Sequence, residues 1–197
     1  MFSRNKFYDV VKIRDHKSQK QRILDAIDTR EEHTFENISN TDWTGDPLDA
    51  RSFDWFSECF SERDTQSIGI TIFKKYQQVC KIKNCWYNQY YPGTGSTHQP
   101  HDHPESDLTL IYFVELSNRN LATNLYHPLS GKMILPRVKE GDVLIMPAKV
   151  WHSSPPNYTD SRKTVVSVNL DFKIDKYKQS PPSINENGNQ SFGNYRH

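Results

Sequence analysis

The feature that most constrains the fold is a change of texture near Lys81. From there to Asp171 the chain breaks into short segments rich in Val, Ile, Tyr and Thr, separated by Pro, Gly and Asn. The segments cover residues 82–91, 99–103, 108–116, 121–126, 132–135, 142–146, 150–154 and 163–171, with turn formers at 92–93, 117–120, 128–131, 140–141, 147–148 and 155–161. Short runs of β-branched and aromatic residues bounded by turn formers read as strands. A series of them at nearly regular spacing predicts a sandwich or barrel rather than a parallel α/β sheet.

The first eighty residues read differently. Over 18–30, Ile23, Leu24 and Ile27 form an apolar stripe at helical spacing, and Ser18 is placed to cap it. A second helix is expected over 50–63, with Phe53, Phe56, Cys59 and Phe60 on one side, while 68–80 fits either helix or strand. The expected fold class is therefore mainly β with N-terminal helices, built on a double-stranded β-helix (jelly-roll) core. Residues 1–80 would form a helical layer on that core, 81–176 the double-stranded β-helix core itself and 177–197 a flexible tail. That tail is dominated by Ser, Asn, Pro, Gln and Gly and carries too little apolar surface to offset its ordering entropy.

A formal net charge of +1 argues against a nucleic-acid scaffold. No run of 18 apolar residues suggests a membrane span, and the N-terminus lacks an apolar signal region, so a cytoplasmic protein is expected. The three cysteines, Cys59, Cys80 and Cys85, include no C-x-x-C pair and read as free thiols.

Chemistry concentrates at His101-Asp102-His103. On a strand, residues two apart share a face, about 7 Å apart, so both imidazoles can turn toward one ion while Asp102 points away. A third ligand has to come from a distant strand. Gly141 opens a strand, Pro147 turns the chain, and His152 lies on the return. Imidazole ligands with open positions suit Fe(II), although Zn, Mn, Ni and Cu bind similar sets.

These residues carry a resemblance. The run from Asn88 to Gly93, followed by His101-Asp102-His103, resembles the entry strand and first metal motif of the iron- and 2-oxoglutarate-dependent oxygenases, with a prolyl-hydroxylase-like flavour at Tyr91-Pro92-Gly93. Trp86-Tyr87-Asn88, His101-Asp102-His103-Pro104, Ser106 and Tyr112-Phe113 are similar to a phage and bacterial subgroup with a His-x-His site. The likeness spans about 86–172. It implies Fe(II) on His101, His103 and His152, with 2-oxoglutarate and O2 as cosubstrates and a hydroxylated substrate, a protein side chain being one candidate. Arg162, ten residues past His152, looks like the partner of the far carboxylate of 2-oxoglutarate, with Thr164, Asn88, Tyr90 and Tyr112 as further contacts.

The superfamily usually carries His-x-Asp or His-x-Glu, so the ligand set has three readings: His103 itself, a carboxylate from Glu105 or Asp107, or Asp102 in a shifted register. The cupins are the rival resemblance. Gly95 with His101 and His103, then Gly141, Pro147 and His152, match their two motifs, with Asp107 at the usual Glu. Lys149 and Pro156 stand where Gly and Asn are expected. Under that reading, or that of a metal-stabilised accessory protein, 2-oxoglutarate is not used. The oligomeric state stays open.

Overall fold

The computed structural model describes residues 7–44 and 54–173. Strand β1 (Asp9–Lys12) leads into helix α1 (His16–Asp28), then β2 (Asn40–Thr41), α2 (Trp55–Cys59) and α3 (Glu62–Tyr76). The remainder is β: β3 (Cys80–Tyr90), β4 (Ser96–His101), β5 (Leu108–Glu115), β6 (Asn124–Tyr126), β7 (Met133–Ile134), β8 (Asp142–Pro147), β9 (His152–Asn157) and β10 (Lys163–Phe172).

Two antiparallel sheets result. The larger runs β1-β8-β5-β10-β3-β2 and the smaller β4-β9-β6-β7. This is the two-sheet jelly roll expected from the strand pattern. Alternation along each strand of the larger sheet supplies two cores. Leu108, Leu110, Tyr112 and Val114 of β5, with Val166, Val168 and Leu170 of β10, join the helices' Ile23, Ile27, Trp55, Ile68 and Ile72. Residues of opposite parity, Ile111, Phe113 and Val165, join Leu125 and Val150 between the sheets. Each site residue carried by the larger sheet is consequently assigned to one of its sides by parity.

The N-terminal layer departs from the helical expectation in three ways. Residues 9–12 and 40–41 are strands that extend the larger sheet at both ends, pairing with β8 and β3. Runs of four and two residues are too short to show a period. Helix α1 begins two residues before Ser18, whose hydroxyl donates to Asp15 O (2.9 Å) from inside the helix instead of capping it. The helix expected over 50–63 is interrupted at Phe60, where the backbone is extended, and 50–53 lies outside the described residues. Ser61 then starts α3: its hydroxyl accepts from Asp64 N–H and donates to the Asp64 carboxylate (2.7 Å). Residues 62–76, read in part as helix or strand, are helical until Gln77 takes the left-handed conformation (φ 54°). The tail at 177–197 lies outside the described residues.

Among the strands, β9 continues through Pro155 and Pro156, which sequence alone reads as a turn. Its ladder with β6 involves only His152 and Ser153, so the two residues lacking N–H groups lie beyond that ladder. No helix among the described residues is long and apolar enough to cross a membrane.

Candidate metal centre and its pocket

His101 closes β4 and pairs directly with His152, which opens β9. His103 lies two residues past the end of β4, where its N–H donates to Ala148 O (2.9 Å) in the β8–β9 turn. The Pro147 turn thus serves both ends of the site: it returns the chain to His152 and holds the His103 backbone. The ring centroids are 4.3 Å apart for His101–His152, 5.1 Å for His101–His103 and 5.2 Å for His103–His152. One ligand nitrogen from each ring lies within 4.8 Å of the others.

Two of the rings are oriented by backbone. His101 Nδ1 donates to Gln99 O (2.7 Å) and His152 Nδ1 to Val150 O (2.9 Å). A carbonyl only accepts, so Nδ1 carries the proton and each Nε2 keeps its lone pair, the usual support for a metal-binding imidazole. Burial disfavours the protonated ring in all three: His101 is lowered, His103 falls to about 4 and His152 lies well below the ordinary histidine value. At neutral pH the cluster is three neutral nitrogen donors, which suits a divalent transition metal such as iron.

The carboxylate alternatives lie elsewhere. Among the described residues the metal-competent group consists of the three histidines alone. Asp107 accepts from Phe172 N–H (2.7 Å), Glu105 is exposed, and Asp102, just past the end of β4, is not part of the metal-competent group.

The pocket above the rings is walled by Trp86, Asn88 and Tyr90 from β3, Ile111 from β5, Ser154 from β9, and Val165 and Ser167 from β10. Asn88 and Tyr90, expected from the sequence to contact the cosubstrate, both line this pocket. Asn88 is fixed by the Thr41 hydroxyl, which donates to its Oδ1 (2.7 Å). His98, a fourth histidine, stacks on His101 at 3.9 Å. Burial lowers its pKa to about 3.

No protein-family model matches the sequence, and no curated protein matches it. Solved structures do. AviO1 from Streptomyces viridochromogenes superposes with a TM-score of 0.61 at 13% identity, covering 91% of this chain and 94% of its own. The viral collagen prolyl hydroxylase vCPH of Paramecium bursaria Chlorella virus-1, solved with 2-oxoglutarate, gives 0.56 at 12% identity over 86% and 97%. A prolyl hydroxylase from Trichoplax adhaerens, in complex with a hypoxia-inducible-factor peptide, gives 0.58 at 13% identity over 89% and 88%. The fold shared with these structures is the double-stranded β-helix.

Within that double-stranded β-helix the remaining expected residues fall on the far side of the larger sheet. Arg162 does not line the pocket. Its Nε donates to Glu115 Oε2 (2.7 Å) and its Nη2 to Oε1 (3.4 Å), and the Thr164 hydroxyl donates to the same carboxylate. Tyr112 faces the helical layer, its hydroxyl 2.8 Å from His16 Nδ1. The physical reason is parity: Val165 and Ser167 point into the pocket, so Thr164 and Arg162 cannot.

The cation that shares their face is Lys163, which the sequence reading passed over. It is 1% exposed, its Nζ donates to Ser154 Oγ (2.7 Å), and it sits 4.7 Å from the Tyr90 ring centroid. No carboxylate among the described residues pairs with it. Burial alone pushes its pKa down to about 7. The available signal was the alternation Lys163, Val165, Ser167, read against the side of the sheet that must face the histidines.

Proposed function

We propose that this protein is an Fe(II)- and 2-oxoglutarate-dependent oxygenase that hydroxylates a protein side chain. His101, His103 and His152 would hold the iron. Lys163, with Ser154, would grip the far carboxylate of 2-oxoglutarate in the place first expected of Arg162. The observation that carries this reading is the buried ammonium with no acidic partner, in a double-stranded β-helix that also gathers three neutral imidazoles. Burying an unpaired charge is costly. A pocket holding only neutral donors and a cation has no negative charge of its own, and a dicarboxylate supplies what it lacks.

Bound there, iron would supply the oxygen activation that couples conversion of 2-oxoglutarate to succinate and CO2 with insertion of one oxygen atom into a substrate C–H bond. The chain's own residues bind, orient and exclude water. Lys163 and Ser154 fix one end of the cosubstrate, Asn88 is preorganised by Thr41, and Trp86, Ile111 and Val165 keep the walls dry. The free space between these side chains is about 20 Å³, room for about one water. A dicarboxylate therefore enters only when a lining group moves. The His98 ring, one of those lining groups, has a 3.8 Å contact to the Glu36 carboxylate and a stack on His101. The protein-side-chain substrate rests on the Tyr91-Pro92-Gly93 resemblance and on the two neighbours described as prolyl hydroxylases.

Anaerobic titration of the Fe(II) protein with 2-oxoglutarate tests the proposal. A visible charge-transfer band should grow in saturably, and Lys163→Ala should demand far more 2-oxoglutarate to produce it. Iron binding with neither a band nor succinate formation would remove the oxygenase reading. It would leave a cupin-type metal protein, which a set of three imidazoles without a carboxylate also fits.

A further inference from the structure

A second concavity lies on the opposite side of the larger sheet, between α3 and the Cys80 end of β3. It encloses about 690 Å³, within the usual range for small-molecule sites. Its rim holds Ile70, Phe73, Val79 and Ile82, which are 51%, 49%, 56% and 46% exposed. Leu170 and Ile72 from the core form its floor. Gly69 on the α3 side leaves open space where a side chain would stand. Four large apolar side chains exposed around one hollow differ from the scattered apolar residues that any surface carries.

The charge of this groove is equally selective. Its wall contains Lys74, Lys81 and Lys173 and no Asp or Glu. The chain as a whole carries only +1, so the imbalance is local. Lys81 lies 3.7 Å from Asp171, whereas neither Lys74 nor Lys173 pairs with a carboxylate among the described residues. The adjacent Lys75 points elsewhere and is neutralised by Asp9 at 2.7 Å. An apolar trough with ammonium groups at its edge complements a molecule with an apolar body and an anionic head.

We propose that this groove is a binding site for a free anionic amphiphile of the fatty-acid class, with the hydrocarbon chain between α3 and β3 and the carboxylate met by Lys74 and Lys173. The site is separate from the histidine pocket, because its walls belong to the helical side of the larger sheet. The sixteen residues lining it fall short of the roughly 20–30 a side of a stable protein interface, which favours a small ligand over a second copy of the chain.

The test is calorimetric titration of the full-length protein with laurate, kept below its micelle concentration, beside dodecanol and dodecyltrimethylammonium. Laurate should bind saturably at one site, and roughly tenfold more tightly than either comparator. Hydrogen exchange should show protection confined to 66–82 and 170–173. Lys74→Glu with Lys173→Glu should weaken laurate about tenfold or more, while Ile70→Ser retains the charge preference at lower affinity. Circular dichroism confirms that each variant is folded. The proposal is overturned if laurate does not saturate, if the cationic amphiphile binds as well, or if protection maps to the histidine pocket. Binding only to anionic vesicles, or protection that appears only as the chain self-associates, would overturn it equally.

Discussion

Arg162 and Lys163 are neighbours in sequence but sit in opposite situations. Arg162 faces the helical side, half-exposed, with its charge met by Glu115. Lys163 faces the space between the sheets, fully buried, with a hydroxyl and an aromatic ring beside it and no carboxylate among the described residues. One residue of register separates a cation that is already satisfied from one that awaits an anion. Arginine is the better fork for a carboxylate in general, yet here the fork is spoken for. Position on the pleat outweighs side-chain type.

The largest expected effect tests whether the inner face is a metal centre at all. His152→Ala should cost at least about a hundredfold in Fe(II) affinity, because one of three ligands is lost. Competition with a metallochromic chelator would read this, and unchanged affinity would dissolve the distinction between the faces. Next comes the pair itself. Lys163→Ala should raise the KM for 2-oxoglutarate roughly 30-fold or more, as expected when about 2 kcal/mol or more of buried charge pairing is removed. Arg162→Ala should leave that KM within a few-fold and lower stability by about 1 kcal/mol or less, since its pair is partly screened by solvent. Succinate assays across a 2-oxoglutarate series would reverse the assignment if the two variants exchanged places.

A pH profile sharpens the contrast without chemistry. Lys163 has a folded pKa near 7, below the roughly 10.4 of a free lysine. Between those values the unfolded chain holds a proton that the native chain lacks, so stability of the metal-free protein should rise as pH climbs from about 7 toward 10. Urea midpoints at pH 7, 8 and 9 would show the slope, and Lys163→Met should flatten it. A wild type with no slope would mean that the ammonium is not buried unpaired. The smallest effect belongs to the helical face. Tyr112→Phe removes the hydroxyl beside His16 and should cost about 1 kcal/mol in thermal stability, with no change in 2-oxoglutarate KM.

Much of this was legible before any coordinates. The change of texture near Lys81 announced the jelly roll. His101, His103 and His152 followed from a His-x-His and a Gly-to-Pro hairpin, which are local patterns. Asn88 and Tyr90 share a parity that happens to face inward. Arg162, Thr164 and Tyr112 were misplaced because nothing local says which side of a strand buried on both faces looks toward the site. Val165, Val166 and Val168 read as one apolar run, and the alternation that separates Lys163 from Arg162 disappears within it. Strands β1 and β2 escaped notice because their identity depends on β8 and β3 being there to pair with.

Strand β10 lies at the middle of the larger sheet, hydrogen-bonded to β5 on one side and β3 on the other. Strand β5 begins 55 residues earlier in the chain and β3 begins 83 earlier. On the ribosome, β3 and β5 therefore emerge with their shared neighbour still unsynthesised, and they cannot close on each other in the native order. The histidines would be present but unsupported during that interval, and Lys163 would complete the pocket as the keystone laid late. Assembly of such a chain is governed by long-range pairing, which is slow and leaves strand edges open to other molecules.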